Sequence, residues 1–185
     1  MRTLSCGDGN YETPWVIEST SPDDTEKLGE LIAPFLPPNA VISLNGDLGA
    51  GKTALTRGLA HGLGCLGPVA SPTFTLLMEH PAQAGGLALY HFDAYRLDMP
   101  DAADAFVEFG LDAYFDAGGV CAIEWGEKIA SLLPVRTLSI KLSRHCQDDG
   151  QTRHIKLYWP DGAALIAQIR LVIDADQTSQ IIKHE

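Results

Sequence analysis

No run of apolar residues in this 185-residue chain approaches the roughly 20 needed to span a bilayer. The opening stretch, Met1 to Trp15, has neither the basic start nor the apolar core of a signal peptide. A cytoplasmic protein without membrane contact is the expectation. Positive charge is scarce: 13 Lys and Arg stand against 24 Asp and Glu, for a net charge of −11. Tight binding to nucleic acid rests largely on cations that neutralise phosphates, and the few present form no cluster, so direct strong grip on RNA or DNA is disfavoured. Cysteine is sparse too. Cys6, Cys65, Cys121 and Cys146 lie far apart and form no C-x-x-C pair, which argues against a disulfide scaffold. A zinc site from Cys146, His145 and His154 matches no common ligand spacing. Internal repeats and low-complexity linkers are also missing.

What is present reads as alternating strands and helices. Thr13–Ser19 is a short strand. Ser21 can cap a helix that opens on Pro22 with acids in its first turn, carries Leu28, Leu31, Ile32 and Phe35 at helical spacing, and ends at Pro37 and Pro38. Ala40–Asn45 has the continuous apolar pattern of a strand covered on both faces. A helix from Lys52 ends near Gly64. Ser71–His80 and Gly86–Leu97 read as strands of a hairpin joined by Pro81–Gly86. Pro100–Asp116 is mostly helical and broken near Gly110. Gly118–Trp125 is a buried strand, and Glu127–Leu133 a short helix closed by Pro134. Arg136–His145 and Thr152–Trp159 make a second hairpin. Asp161–Ile173 is an amphipathic helix, and the polar tail after Asp174 is expected to fray. The fold class is therefore α/β: a three-layer sandwich around a mixed, mainly parallel central sheet. A chain of this size suits one domain that buries about 70% of its unfolded surface, here residues 1–185 with a core at about 13–173.

The chemistry concentrates in Gly46-Asp47-Leu48-Gly49-Ala50-Gly51-Lys52-Thr53, which fits G-x-x-x-x-G-K-[ST] at every fixed position. It sits between an apolar strand and a helix, the context in which this phosphate-binding loop (P-loop) works. Glycines let successive N–H groups point into one concave nest, and the helix adds its positive end. Lys52 supplies a point charge to the outer phosphates and is expected to be solvated when the loop holds nothing. Asp47 to Thr53 are thus the nucleotide-binding candidates, and the Thr53 hydroxyl can ligate Mg²⁺. A second, acidic anchor for Mg²⁺ is expected at the end of a neighbouring strand. Glu124 and Asp93 both end strands, and a solvated strand-end acid is the plain alternative for each. Thr73 follows Pro72 just after the P-loop helix, where nucleotide switches often place a hydroxyl that senses the γ-phosphate; a strand-start Thr is the alternative. His91 shares a face with Asp93 and reads more readily as a packed histidine than as a base. The chain has no N-K-x-D segment of guanine-specific proteins, so ATP is the default nucleotide.

"NGDLGAGKT", "SPTFTLLMEH", "YHFDAYRL" and "AIEWGEK" occur in that order with compatible gaps. This set closely resembles the TsaE (YjeE) family of small bacterial P-loop ATPases, over about Ser19 to Trp159. The departures are small: Ala94 where the family commonly has Leu, and Gly126 where Pro or Ser is common. The resemblance implies a part in forming threonylcarbamoyladenosine at position 37 of tRNA. It implies partners, TsaD and TsaB, with tRNA contacted only through them, and ATP hydrolysis that resets the complex between turnovers. It places the ATP phosphates on Asp47 to Thr53, Mg²⁺ on Thr53 and Glu124, and an ATPase role on Asp93. Catalytic duty would fall to Lys52, Asp93, Glu124 and Thr73, with the adenine near Ser21 to Thr25. Scarce arginine agrees: Arg57 and Arg96 are the ones near motifs, too few for a phosphotransferase lid. A small-molecule kinase and a nucleotide-binding module that does not hydrolyse are the rival classes.

Overall fold

The computed structural model describes residues 1–6, 14–72, 74–97, 101–144, 151–160 and 162–183. In chain order the strands are β1 (Arg2–Cys6), β2 (Trp15–Ser19), β3 (Val41–Asn45), β4 (Leu77–His80), β5 (Leu89–Asp93), β6 (Val120–Glu124), β7 (Leu138–Arg144) and β8 (Arg153–Tyr158). The helices are α1 (Pro22–Ile32), α2 (Lys52–Gly62), α3 (Ala102–Glu108) and α4 (Ala163–Lys183). All eight strands join one sheet in the order β1-β2-β8-β7-β3-β6-β5-β4. The central strands β7, β3, β6 and β5 run parallel, while β1, β2, β8 and β4 add on antiparallel.

Continuous apolar runs sit in the middle of that sheet, as their composition requires. Every residue of β6 is buried, and so are the first four of β3. Layers cover both faces. Ile42, Leu44, Leu55, Leu59 and Ile169 belong to the core beneath α1, α2 and α4. Val41, Phe92, Phe106 and Ile123 belong to the core beneath α3. Alternation along the strands then decides where the acids face. Asp93 follows Leu89 and His91, and Glu124 follows Val120 and Ala122, on the side that carries α2.

Helix α1 starts as its sequence dictates: Ser21 Oγ accepts from the Asp24 amide at 3.0 Å, and Pro22 opens the first turn. It packs on α2 backbone to backbone. A Cβ at Gly58 would stand 1.8 Å from the Glu26 carbonyl oxygen, and one at Gly29 would stand 2.4 Å from that of Leu55. This contact sets the position of α2 and with it the loop before it. Gly58→Ala is expected to destabilise the fold by about 3 kcal/mol through overpacking, lowering Tm by roughly 6–12 °C. An unchanged thermal melt would show that the two helices are not held at this distance.

Four local expectations need correction. β1 has no strong pattern in the sequence, yet it pairs antiparallel with β2. The Met1 amino group bonds to Asp24 Oδ2 at 3.0 Å, which ties that strand to α1. The strand expected over Ser71–His80 begins only at Leu77, since the Pro72 carbonyl accepts from the Thr75 and Leu76 amides and these bonds make a turn before it. The helix expected over Glu127–Leu133 is a short 3₁₀ turn at Gly126–Ile129. α4 continues through the polar tail to Lys183, where no Gly or Pro intervenes to stop it. Thr73 and the Cys146–His145 pair fall outside the described residues. Among the described residues no helix is long and apolar enough to cross a membrane.

Candidate functional site

The loop between β3 and α2 is shaped by its glycines. Gly46, Gly49 and Gly51 have φ of 137°, 74° and 108°, values that a side chain strongly resists. Gly46 is also crowded, since a Cβ there would lie 2.2 Å from the Leu142 carbonyl oxygen. Gly51 caps α2, so the helix begins at Lys52 with its amides open toward the loop. Thr25, in the first turn of α1, lies against Gly51.

A cavity of about 390 Å³ opens over this loop, bounded by Gly49, Lys52, Thr53, Asp93, Glu124 and Trp125. Asp93 and Glu124 are paired partners on adjacent parallel strands. They are 3% and 4% exposed, which rules out solvated strand-end acids. Glu124 Oε1 accepts from the Thr53 hydroxyl at 2.8 Å, joining the start of α2 to the central strand. Asp93 is engaged differently. Its Oδ1 accepts from the Tyr95 amide at 3.0 Å and its Oδ2 from the Ser71 hydroxyl at 2.9 Å. It thereby caps the turn Ala94–Arg96 and holds the segment that precedes β4.

Lys52 is not solvated, contrary to the sequence expectation. It is 4% exposed, and its ammonium donates to the carbonyls of Gly46 at 2.6 Å and Asp47 at 3.0 Å. It also stands 3.8 Å from the centre of the Trp125 ring. Burial lowers its pKa, opposed by the charges of Glu124, Glu127, Asp93 and Asp47. Trp125 presents its ring from a left-handed backbone, φ 60°, fixed by its amide bond to the Leu44 carbonyl at 2.9 Å.

Two site residues escaped the sequence reading. Arg144 on β7 donates to the Leu48 carbonyl at 3.0 Å, and Arg153 on β8 donates to the Ala50 carbonyl at 3.1 Å. A peptide carbonyl and the amide that follows it point in opposite directions. Holding these carbonyls therefore fixes the orientation of the Gly49 and Gly51 amides that follow them. No local pattern reveals such partners, because 96 and 103 residues separate them from the loop. The arginines nearer the motifs brace the fold. Arg57 pairs with Glu26 at 3.0 Å, and Arg96 lies over the Phe74 ring at 4.4 Å.

The donors suit a hard cation held beside phosphate. Two buried carboxylates face one buried ammonium, which leaves net negative charge for a cation to balance. Among the described residues no cluster of three His, Cys, Asp or Glu forms a cage of its own. The pair Thr53 and Glu124 is a donor set that would suit Mg²⁺, which keeps waters and relies on one or two carboxylates together with substrate phosphates.

Fold and loop together define a P-loop NTPase-like protein. Residues 19–155 match the family described as threonylcarbamoyl adenosine biosynthesis protein TsaE, and the chain belongs to that family. It is similar to the tRNA threonylcarbamoyladenosine biosynthesis protein TsaE of Bacillus subtilis, with 42% identity over 71% of this chain and 78% of that one. The Treponema pallidum TsaE is 43% identical over 67% of this chain and 87% of its own. The crystal structure of Bacillus subtilis YdiB superposes with a TM-score of 0.68 at 34% identity, covering 85% of this chain and 95% of that one.

Proposed function

We propose that this chain is the Mg²⁺-dependent ATPase of tRNA threonylcarbamoyladenosine formation, slow alone and stimulated by TsaD with TsaB. The observation that carries the ATPase reading is the 2.8 Å bond between Thr53 and Glu124, which closes the P-loop helix onto the strand-end acid. Family membership supports the pathway. Asp47 to Thr53 take the ATP phosphates on amides and the Lys52 ammonium. Thr53 and Glu124 hold Mg²⁺, which supplies charge that neutralises phosphate oxygens. Asp93 orders Ser71 and Tyr95 at the rim, and Thr73, two residues beyond Ser71, is the candidate γ-phosphate sensor. The base of ATP falls beside the start of α1, around Ser21 to Thr25.

Hydrolysis fits better than phosphotransfer. Arg57, Arg144 and Arg153 bond to Glu26 or to loop carbonyls, which is bracing rather than a lid over a second substrate. With a net charge of −11 the chain is suited to reach tRNA through its partners. Exposed apolar side chains are available to a partner: Leu48, which lines the cavity, is 74% exposed, and Phe74, three residues after Ser71 of the cavity wall, is 84% exposed. A partner that orders this rim completes the catalytic geometry, and ATP strengthens its association by the same factor that it strengthens ATP binding. The test is multiple-turnover tRNA modification in a reconstituted system. Omitting the chain is expected to stop or severely limit repeated cycles. Undiminished cycling without it would overturn the proposal.

A further inference from the structure

His91 is fully buried in β5, and its Nε2 stands 3.0 Å from Glu124 Oε1. The same oxygen accepts from Thr53 at 2.8 Å. One carboxylate oxygen offers two lone-pair sites, and a carboxylate only accepts. His91 therefore donates from Nε2, and both sites on Oε1 are filled. The other ring nitrogen, Nδ1, is buried without a hydrogen-bond partner. Leaving a buried polar atom unpaired is unfavourable. A histidine kept only to fill this space would be less stable than a phenylalanine or leucine, so the Nε2 donor is the reason for the ring. Among the described residues Glu124 Oε2 takes no hydrogen bond, and Glu124 lines the cavity.

We propose that His91 is a positioning residue that fixes the rotation of the Glu124 carboxylate. Its donor and the Thr53 hydroxyl hold Oε1 from two sides, so Oε2 is the oxygen left to the cavity and to a divalent cation. The inference rests on the reading of Thr53 and Glu124 as the metal-holding pair. Groups that orient metal ligands typically change metal affinity by about 10–100-fold when removed.

The experiment is calorimetric titration of the full chain with ADP, with Mg²⁺ and again with EDTA, so that no turnover enters. The unaltered chain should bind ADP more tightly with Mg²⁺. His91→Phe should lose most of that enhancement, about tenfold or more, with its affinity in EDTA unchanged within about twofold. His91→Gln, whose amide can donate from nearly the Nε2 position, should keep most of it. If His91→Phe fails to fold, His91→Met makes the same comparison, being similar in length to Gln but without a donor. A full Mg²⁺ enhancement in the donor-less variant would overturn the proposal. So would equal losses in donor-less and Gln variants, or losses that persist in EDTA, because those report disrupted packing. Glu124→Gln separates the premise: if it keeps the full enhancement, the metal assignment of Glu124 fails first.

Discussion

Lys52→Ala is expected to remove most of the rise in melting temperature that ATP or ADP with Mg²⁺ gives the unaltered chain. A ligand that binds only the folded state stabilises it by about 2.7 kcal/mol at a hundredfold excess over Kd. For a domain of this size that is roughly 5–11 °C in Tm. Lys52 is the one buried cation beside the loop among the described residues, so its loss should leave about a degree or two of shift from the loop amides. The comparison must be made against each protein's own melt without nucleotide. Lys52 is buried and bonded to the Gly46 and Asp47 carbonyls. Its removal frees those carbonyls and also relieves the cost of burying an ammonium. The baseline therefore moves, and a raw Tm would confuse the two effects. A nucleotide shift equal to that of the unaltered chain would refute the assignment of the loop as the phosphate site.

The buried Lys52 also marks where sequence reading stops. G-x-x-x-x-G-K-[ST] between an apolar strand and a helix identifies the loop, because positive-φ glycines and a helix start are local requirements. β3, β6 and both hairpins were legible for a similar reason: their patterns and turns act over a few residues. The conformation of a long side chain is a tertiary matter. Nothing near Lys52 in the chain says that Trp125 will stand over it, since that contact depends on a left-handed residue at the end of a different strand. Arg144 and Arg153 were invisible on the same ground, reaching the loop across the sheet from β7 and β8. The strand expected at Ser71–His80 is shorter than its composition suggests, because the Pro72 carbonyl takes the Thr75 and Leu76 amides and leaves Leu77–His80 as β4. β1 was missed because its pairing with β2 comes from the sheet edge rather than from a strong apolar pattern of its own. Asp93 and Glu124 were identified as strand-end acids. That they face each other across one ladder, on the α2 side, follows from the order of strands, which no single strand records.

Glu124→Gln and Asp93→Asn should both lower partner-stimulated ATP turnover by on the order of 10²-fold or more, the scale of losing one preorganised electrostatic group. Both variants are built to fold. A Gln at position 124 can keep its carbonyl oxygen where Oε1 accepts from Thr53 and His91, leaving the amide toward the cavity. An Asn at position 93 can keep its oxygen on the Tyr95 amide and turn its NH₂ toward the Ser71 hydroxyl, which can accept. Each substitution thus removes a charge while sparing the local bonds, and nucleotide binding should survive at least in part. The two acids differ in what a null result would mean. Both oxygens of Asp93 already serve the protein, so turnover of Asp93→Asn close to that of the unaltered chain would leave it as a cap for Ala94–Arg96 and nothing more. Glu124 has an oxygen to give. Undiminished turnover of Glu124→Gln, measured with TsaD and TsaB present, would show that the carboxylate beneath the P-loop does no chemistry, and would remove the observation on which the ATPase reading stands.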